Sequence, residues 1–276
     1  MYSRVYIEIT NICNMHCSFC HGHSRPRKQM QQAEFTRILD QLDGVTNYIY
    51  YHLMGEPLTH PELPEFLNLA AQRGFHSIIT TNGTLLKKRQ EELLNAKIHK
   101  ISISLHSFED GNLDSHLQYL QNCADFAGEA AAKGTIISFR LWNKGFDEGR
   151  NDTTLAALQQ MLPGDWTVNS RGLRVRDKIF LEWGDRFEWP DPNAPLIEGP
   201  ITCYGLRDQF GILCDGTVVP CCLDSDGNIP LGNIFHQELK DILASSRAQA
   251  MVQGFRCRKA SEELCKRCGY ATRFIK

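Results

Sequence analysis

From Val5 to Met161 the chain alternates short β-branched or aromatic runs with stretches of helical periodicity, and few folds accept that alternation. Val5–Thr10, Tyr48–Leu53, Ser77–Thr80, Ile101–Leu105 and Ile136–Leu141 read as strands. Gln32–Leu42, Pro61–Arg73, Leu86–Ala96, Leu113–Lys133 and Thr153–Met161 read as helices. In the first of these, Phe35, Ile38, Leu39 and Leu42 recur at the spacing of one helical face. Gly74, Gly134 and the pair Pro163-Gly164 supply the stops. A sixth strand is expected at Trp166–Val168 or around Val175. Strand–helix alternation of this kind builds βα units around a parallel sheet. The expected fold is therefore α/β, a partial (β/α)6 TIM-like barrel. Functional residues of such barrels gather at the C-terminal ends of the strands.

Those ends carry chemistry-bearing side chains. After the first strand come Cys13, Cys17 and Cys20, spaced C-x3-C-x2-C. Gly55-Glu56-Pro57 follows the second strand, Asn82 the third, Ser104 and His106 the fourth, and Arg140 lies on the fifth. Three thiolates on one short loop can hold three corners of a [4Fe–4S] cube. A cluster built only to pass electrons takes four cysteines, so a three-cysteine site leaves one iron open. An open position is what a metal site needs in order to bind and activate something. His16, His21 and His23 flank the loop and read as its polar residues.

The chain has 276 residues and eleven cysteines at a formal net charge of −2. That balance gives no bulk electrostatic case for nucleic acid or an anionic membrane surface. No apolar run is long enough to span a bilayer, and no signal-peptide pattern opens the chain, so a cytoplasmic location is expected. A reducing compartment disfavours structural disulfides, which leaves metal ligation or catalysis to explain the cysteines.

Residues 182–200 hold Trp183, Trp189 and four prolines and read as a connector, so a boundary is expected near residue 195, with domains at 1–195 and 196–276. Beyond it, Gln209–Cys214, Asp215-Gly216 and Thr217–Cys222 spell a hairpin with a tight primed turn. Leu231-Gly232-Asn233-Ile234 leads into a helix over Glu238–Val252. Cys203 and Cys221 bracket the hairpin, and Cys265 and Cys268 form a terminal C-x2-C pair. Four such thiols suit a cluster, and on spacing alone they suit a structural zinc equally. Cys222 is expected to point away from its neighbour, Cys257 is the substitute ligand, and Cys123 sits mid-helix as a small hydrophobe.

The Cys13–Cys17–Cys20 loop, with Phe19 before its last cysteine, resembles the signature of the radical S-adenosylmethionine (SAM) enzymes. Met54-Gly55-Glu56-Pro57 is similar to their Gly-Gly-Glu-Pro motif, and Ser104-Leu105-His106 stands at their ribose-contacting position. The C-terminal domain, residues 196–276, resembles the SPASM/twitch subgroup with one auxiliary cluster. Its cysteine spacing is close to that of the butirosin-pathway 2-deoxy-scyllo-inosamine dehydrogenase, a likeness of architecture. The resemblance implies a SAM-binding [4Fe–4S] cluster on Cys13, Cys17 and Cys20 and an auxiliary [4Fe–4S] cluster on Cys203, Cys221, Cys265 and Cys268. SAM itself would meet Phe19 at its adenine, Gly55 by close backbone approach, Glu56 at its amino group, Ser104 and His106 at the ribose, and Arg140 at the carboxylate, with Asn82 as a further cofactor-binding residue. His106 as a structural strand-end histidine and Arg140 as a salt-bridge arginine remain the alternatives. The activity implied is reductive cleavage of SAM to a 5′-deoxyadenosyl radical, which abstracts hydrogen from a small molecule that is then oxidised or rearranged. A flavodoxin- or ferredoxin-type donor would supply the electron, and arginines between Arg171 and Arg186 are candidates for the general base. Modification of a peptide is the second reading. A strand starting at Val5 leaves no room ahead of it for a leader-recognition domain, which ranks the small molecule first.

Overall fold

The computed structural model describes residues 1–109 and 111–274. Six strands run parallel and in chain order: β1 (Arg4–Ile7), β2 (Tyr48–Tyr50), β3 (His76–Thr81), β4 (Lys100–Ser104), β5 (Ile136–Lys144) and β8 (Ile179–Asp185). The crossovers carry α1 (Gln32–Leu42), α2 (Leu63–Gln72), α3 (Gln90–Asn95), α4 (Leu113–Ala132) and α5 (Arg150–Met161). This is the expected partial (β/α)6 barrel, left open rather than closed on itself. No helix among the described residues is long and apolar enough to cross a membrane.

Alternation along each strand sorts the two faces. Val5, Ile7, Ile101, Ile103, Ile137 and Phe139 are buried in one core with Phe35, Ile38, Phe66, Leu120 and Phe126 of the helices. The intervening residues Tyr6, Tyr50, Lys100, Ser104, Arg140 and Glu182 face the barrel interior, where they line a cavity. The helices are held in register at their ends. The Glu34 carboxylate accepts from the Gln31 amide at 2.8 Å ahead of α1, and the Asn112 side chain accepts from the Ser115 amide at 3.0 Å to cap α4.

Three local expectations are corrected. The sixth parallel strand is β8, which starts just ahead of the stretch read as connector and runs into its first residues. The two segments expected to supply it, β6 (Thr167–Asn169) and β7 (Gly172–Arg176), form an antiparallel hairpin on its outer edge. Ile179 and Leu181 are buried while Phe180 and Glu182 alternate with them, a period-two signal that the tryptophans and prolines beyond obscured. The turn between β9 (Gln209–Ile212) and β10 (Thr217–Val219) is not a two-residue primed turn. The Gly216 amide donates to the Leu213 carbonyl at 2.8 Å, and only Gly216 takes a positive φ, 86°, so the loop closes as an ordinary turn with a left-handed glycine after it. The C-terminal helix is two: α6 (Leu239–Ala244) ends at Ser245, whose hydroxyl accepts from the Ala248 amide at 3.3 Å and starts α7 (Ser246–Arg256).

The hairpin is continuous with the barrel sheet. β9 pairs parallel with β1, and β10 carries the short β11 (Gly232–Asn233) beyond it. The second cysteine group is thereby brought beside the first strand.

Candidate active site

Residues 12–27 project from the end of β1 as a loop closed at its neck. The Asn11 side chain donates to the Pro26 carbonyl at 2.8 Å and accepts from the Lys28 amide at 2.8 Å. Inside the loop, the Cys20 amide donates to the Cys17 carbonyl at 3.0 Å and the Met15 amide approaches Cys13 Sγ at 3.4 Å. Cys13 and Cys20 are exposed and Cys17 is half-buried.

The Gly55-Glu56-Pro57 turn underlies this loop. Gly55 has a φ of 74°, and a Cβ there would overlap the Thr10 carbonyl oxygen. The glycine therefore lets the turn press on the backbone at the neck of the cysteine loop, a role complete without any cofactor. The Glu56 amide adds a 2.9 Å bond to the Ile12 carbonyl. Gly55→Val is expected to cost about 2–4 kcal/mol, from backbone strain and overlap. Thermal melting of the iron-free protein checks this, and an unshifted midpoint would contradict it.

Glu56 is buried, and its carboxylate accepts from the Leu58 amide at 3.0 Å, the Thr81 hydroxyl at 2.7 Å and the Asn82 amide at 2.7 Å. Burial raises its pKa to about 7, against the pull of those donors. It thus fastens the second strand-end turn to the end of β3. Asn82 passes the linkage on, its side-chain amide donating to Asn14 Oδ1 at 3.0 Å and standing 4.0 Å from Cys13 Sγ.

Phe19, Ser104, His106 and Arg140 line one cavity of about 740 Å3, together with Cys203, Cys221, Cys265 and Cys268. Phe19 packs at 5.0 Å from the His106 ring, whose Nδ1 lies 3.0 Å from the Arg140 carbonyl oxygen. Arg140 lies over the Trp142 ring at 4.6 Å; its Nη1 reaches Thr80 Oγ1 at 3.4 Å, and its shielded Nε has no partner. The proline-rich connector comes back over the cysteine loop, where Trp189 Nε1 donates to the Phe19 carbonyl at 3.2 Å. Gly55, Glu56 and Asn82 stand beneath the cysteine loop and do not line the cavity.

The thiols are placed where a cationic cluster would relieve them. Burial pushes Cys17 up to about 11, helped by the Glu109 carboxylate and by Cys20 and Cys13. Cys265 and Cys221 are driven well above the ordinary thiol range by burial, and each is raised further by Cys203. Cys268 is pushed up to about 11 by burial, with Cys203 adding to it. Groups of desolvated, mutually opposed thiols fit iron–sulfur ligation, because bound iron takes each as thiolate. Among the described residues no three His, Cys, Asp or Glu side chains converge tightly enough to grip a single metal ion. Cys257 is exposed at the end of α7 and off the cavity, and Cys123 is buried in α4. β10 ends at Val219, so Cys221 and Cys222 lie beyond the strand whose alternation would turn them apart; both residues line the cavity, and Cys222 packs with Tyr6 and Leu53.

The Radical SAM superfamily model matches residues 7–124, and an iron–sulfur cluster-binding (SPASM) domain matches residues 203–269. The chain thus carries a radical SAM domain followed by a SPASM domain. These domains imply SAM, a SAM-binding [4Fe–4S] cluster and an auxiliary cluster. A GTP 3′,8-cyclase from Chlorobaculum tepidum is 31% identical over 38% of this chain and 33% of that protein. One from Microcystis aeruginosa is 29% identical over 90% of this chain and 89% of that protein. The chain thus spans about a third of the first relative and most of the second. The crystal structure of BtrN in complex with AdoMet and 2-DOIA has the same fold, with a TM-score of 0.62 over 97% of this chain and 93% of that one at 18% identity.

The motifs did not disclose one group that holds this site together. Glu8, fully buried, pairs with Arg25 at 2.7 Å and accepts from the Met54 amide at 3.1 Å and the Cys214 amide at 3.2 Å. Arg25 also donates from Nε to the Ser225 carbonyl at 2.8 Å. One carboxylate therefore joins the first strand, the cysteine loop, the Gly55 turn and the C-terminal hairpin. The only signal for it in the sequence was a glutamate within the β-branched run after β1.

Proposed function

We propose that this protein is a SAM-cleaving radical enzyme acting on a small molecule, with residues 1–195 as its barrel and 196–276 as its auxiliary-cluster domain. Cys13, Cys17 and Cys20 hold the SAM-binding cluster, and Cys203, Cys221, Cys265 and Cys268 hold the auxiliary one. When bound and reduced, the cluster with SAM supplies a 5′-deoxyadenosyl radical that removes hydrogen from the substrate. The observation that carries this reading is the single cavity shared by the SAM-side residues and the four C-terminal cysteines.

The chain's own residues orient and shield. Phe19 and His106 form an apolar wall for the adenine, with Ser104 at the edge of β4 within the ribose position. Arg140 offers an unpaired guanidinium edge to the SAM carboxylate. Glu56 acts mainly by positioning Asn82 and the cysteine loop. The Trp189 contact closes the connector over Phe19 and excludes water. An auxiliary cluster on the cavity wall supports oxidation, since it can accept the electron that a substrate radical must lose.

Anaerobically reconstituted and reduced protein is expected to convert SAM to 5′-deoxyadenosine and methionine in equal amounts. Chromatography of the quenched reaction checks this, and intact SAM with a fully loaded protein would overturn the reading.

A further inference from the structure

We infer that Trp189 is a positioning residue for the SAM side of the cavity, seated by the segment that carries Cys265 and Cys268, so that filling the second cysteine group tightens SAM binding at the first. The inference rests on the proposed function in taking SAM to sit beside Phe19 and a cluster to sit on the second cysteine group.

Its basis is a bridge of contacts that runs from one cysteine group to the other. At the barrel end, Trp189 holds both neighbours of Cys20. Its Nε1 donates to the Phe19 carbonyl at 3.2 Å, and its ring stacks on that of His21 with 6.0 Å between centroids. Phe187 meets Trp189 at 5.4 Å and, edge-on, Tyr270 at 5.1 Å. Tyr270 follows Cys268 after a single glycine, Gly269. The rings of Trp189, Phe187 and Tyr270 thus connect the surroundings of Cys20 with those of Cys268.

Between Asp185 and Gln209 the chain forms no helix or strand, so the place of this connector depends on what it touches. Its first half is fastened to residues around Cys265 and Cys268. Arg273 donates to the Asp185 carbonyl at 2.6 Å and lies over the Phe187 and Tyr270 rings at 5.6 and 4.9 Å. A Cβ on Gly269 would come within 2.9 Å of Glu188, so the glycine permits the close packing there. The Ile197 amide donates to the Lys266 carbonyl at 2.8 Å, and Arg267 donates to the Ala194 carbonyl. These holding residues lie in two short 310 turns, Cys265–Arg267 and Gly269–Phe274. Turns of that length have little stability of their own. A metal bound through Cys265 and Cys268 would supply the missing order, because ligation within a short segment is also folding energy. With the second group filled, the turns hold Phe187 and Trp189, and the Cys20 segment keeps the Phe19 ring against His106. With it empty, the turns loosen, the connector lifts, and SAM meets a less ordered wall. Two sites are thereby coupled through one element with two arrangements.

The test is equilibrium binding of SAM to the full chain, reconstituted with iron and sulfide and left unreduced so that no cleavage occurs. The rate of trypsin cleavage after Arg186, an exposed residue of the connector, is measured on the same samples. Cys265→Ala, which empties the second group, should weaken SAM binding at least about fivefold and speed that cleavage. Phe187→Ala, which cuts the bridge and leaves every cysteine in place, should do the same at full iron content. The double variant should bind SAM no more weakly than the weaker single one, since both changes act on one bridge. Wild-type SAM affinity in Cys265→Ala, or additive losses in the double variant, would overturn the inference. Should Cys265→Ala fail to fold, Phe187→Ala decides alone: full iron with wild-type affinity and wild-type trypsin resistance would overturn it. SAM binding to the wild type separates the two readings. A fully loaded wild type that binds no SAM overturns the proposed function itself, whereas SAM binding indifferent to both variants removes this inference alone.

Discussion

Replacing Cys17 by alanine is expected to reduce SAM cleavage by at least about a hundredfold, because loss of a ligand costs more than the ten- to hundredfold seen for groups that merely support one. Cys17 is the middle donor of the loop, and its thiol is the half-buried one, 3.6 Å from the Ser107 carbonyl. Two cysteines outside the proposed ligand sets are not placed to replace it: Cys257 is exposed just past α7 and Cys123 is buried in α4. The informative control is Cys257→Ala, which should cleave SAM at the wild-type rate because its thiol is exposed, off the cavity, and accepts from the Gln253 side chain at 3.4 Å. Rates of 5′-deoxyadenosine formation in both variants check the assignment. Full activity in Cys17→Ala, or none in Cys257→Ala, would contradict it.

The second large effect is expected at a residue with no chemistry of its own. Glu8→Ala leaves the Arg25 guanidinium without its buried carboxylate and strips two backbone amides, those of Met54 and Cys214, of their acceptor. Breaking a buried pair from one side costs about 3–5 kcal/mol. For a chain of this size each kcal/mol moves the melting midpoint by about 2–4 °C, so a fall of roughly 6–20 °C is expected. Arg25→Ala in the same background should cost much less than Arg25→Ala alone, since the two groups act as one unit. Calorimetry of the four proteins measures the coupling, and additive effects would contradict the hub. Because the hub joins the Gly55 turn to the C-terminal hairpin, Glu8→Ala should also lower iron uptake at both cysteine groups.

What could be read in advance follows from how local each signal is. The cysteine loop, the Gly55-Glu56-Pro57 turn and five strands were legible because each is written in a few consecutive residues. α1 even matches its expected limits, Gln32 to Leu42, since four apolar residues on one face leave no other register. The sixth strand was hidden because its period-two pattern runs straight into tryptophans and prolines. The fused C-terminal helix was misread because Ser245 is a weak breaker in sequence and a strong cap in structure. The Glu8 hub was out of reach, since its partners lie 17, 46 and 206 residues away.

The central claim is that one cavity lies between two iron–sulfur sites, and metal analysis tests it most directly. After anaerobic reconstitution the wild type is expected to hold about eight irons and eight acid-labile sulfides per chain, and Cys265→Ala about four of each. A wild type with about four irons and one zinc, the zinc lost in Cys265→Ala, would show a structural C-terminal site and contradict the account.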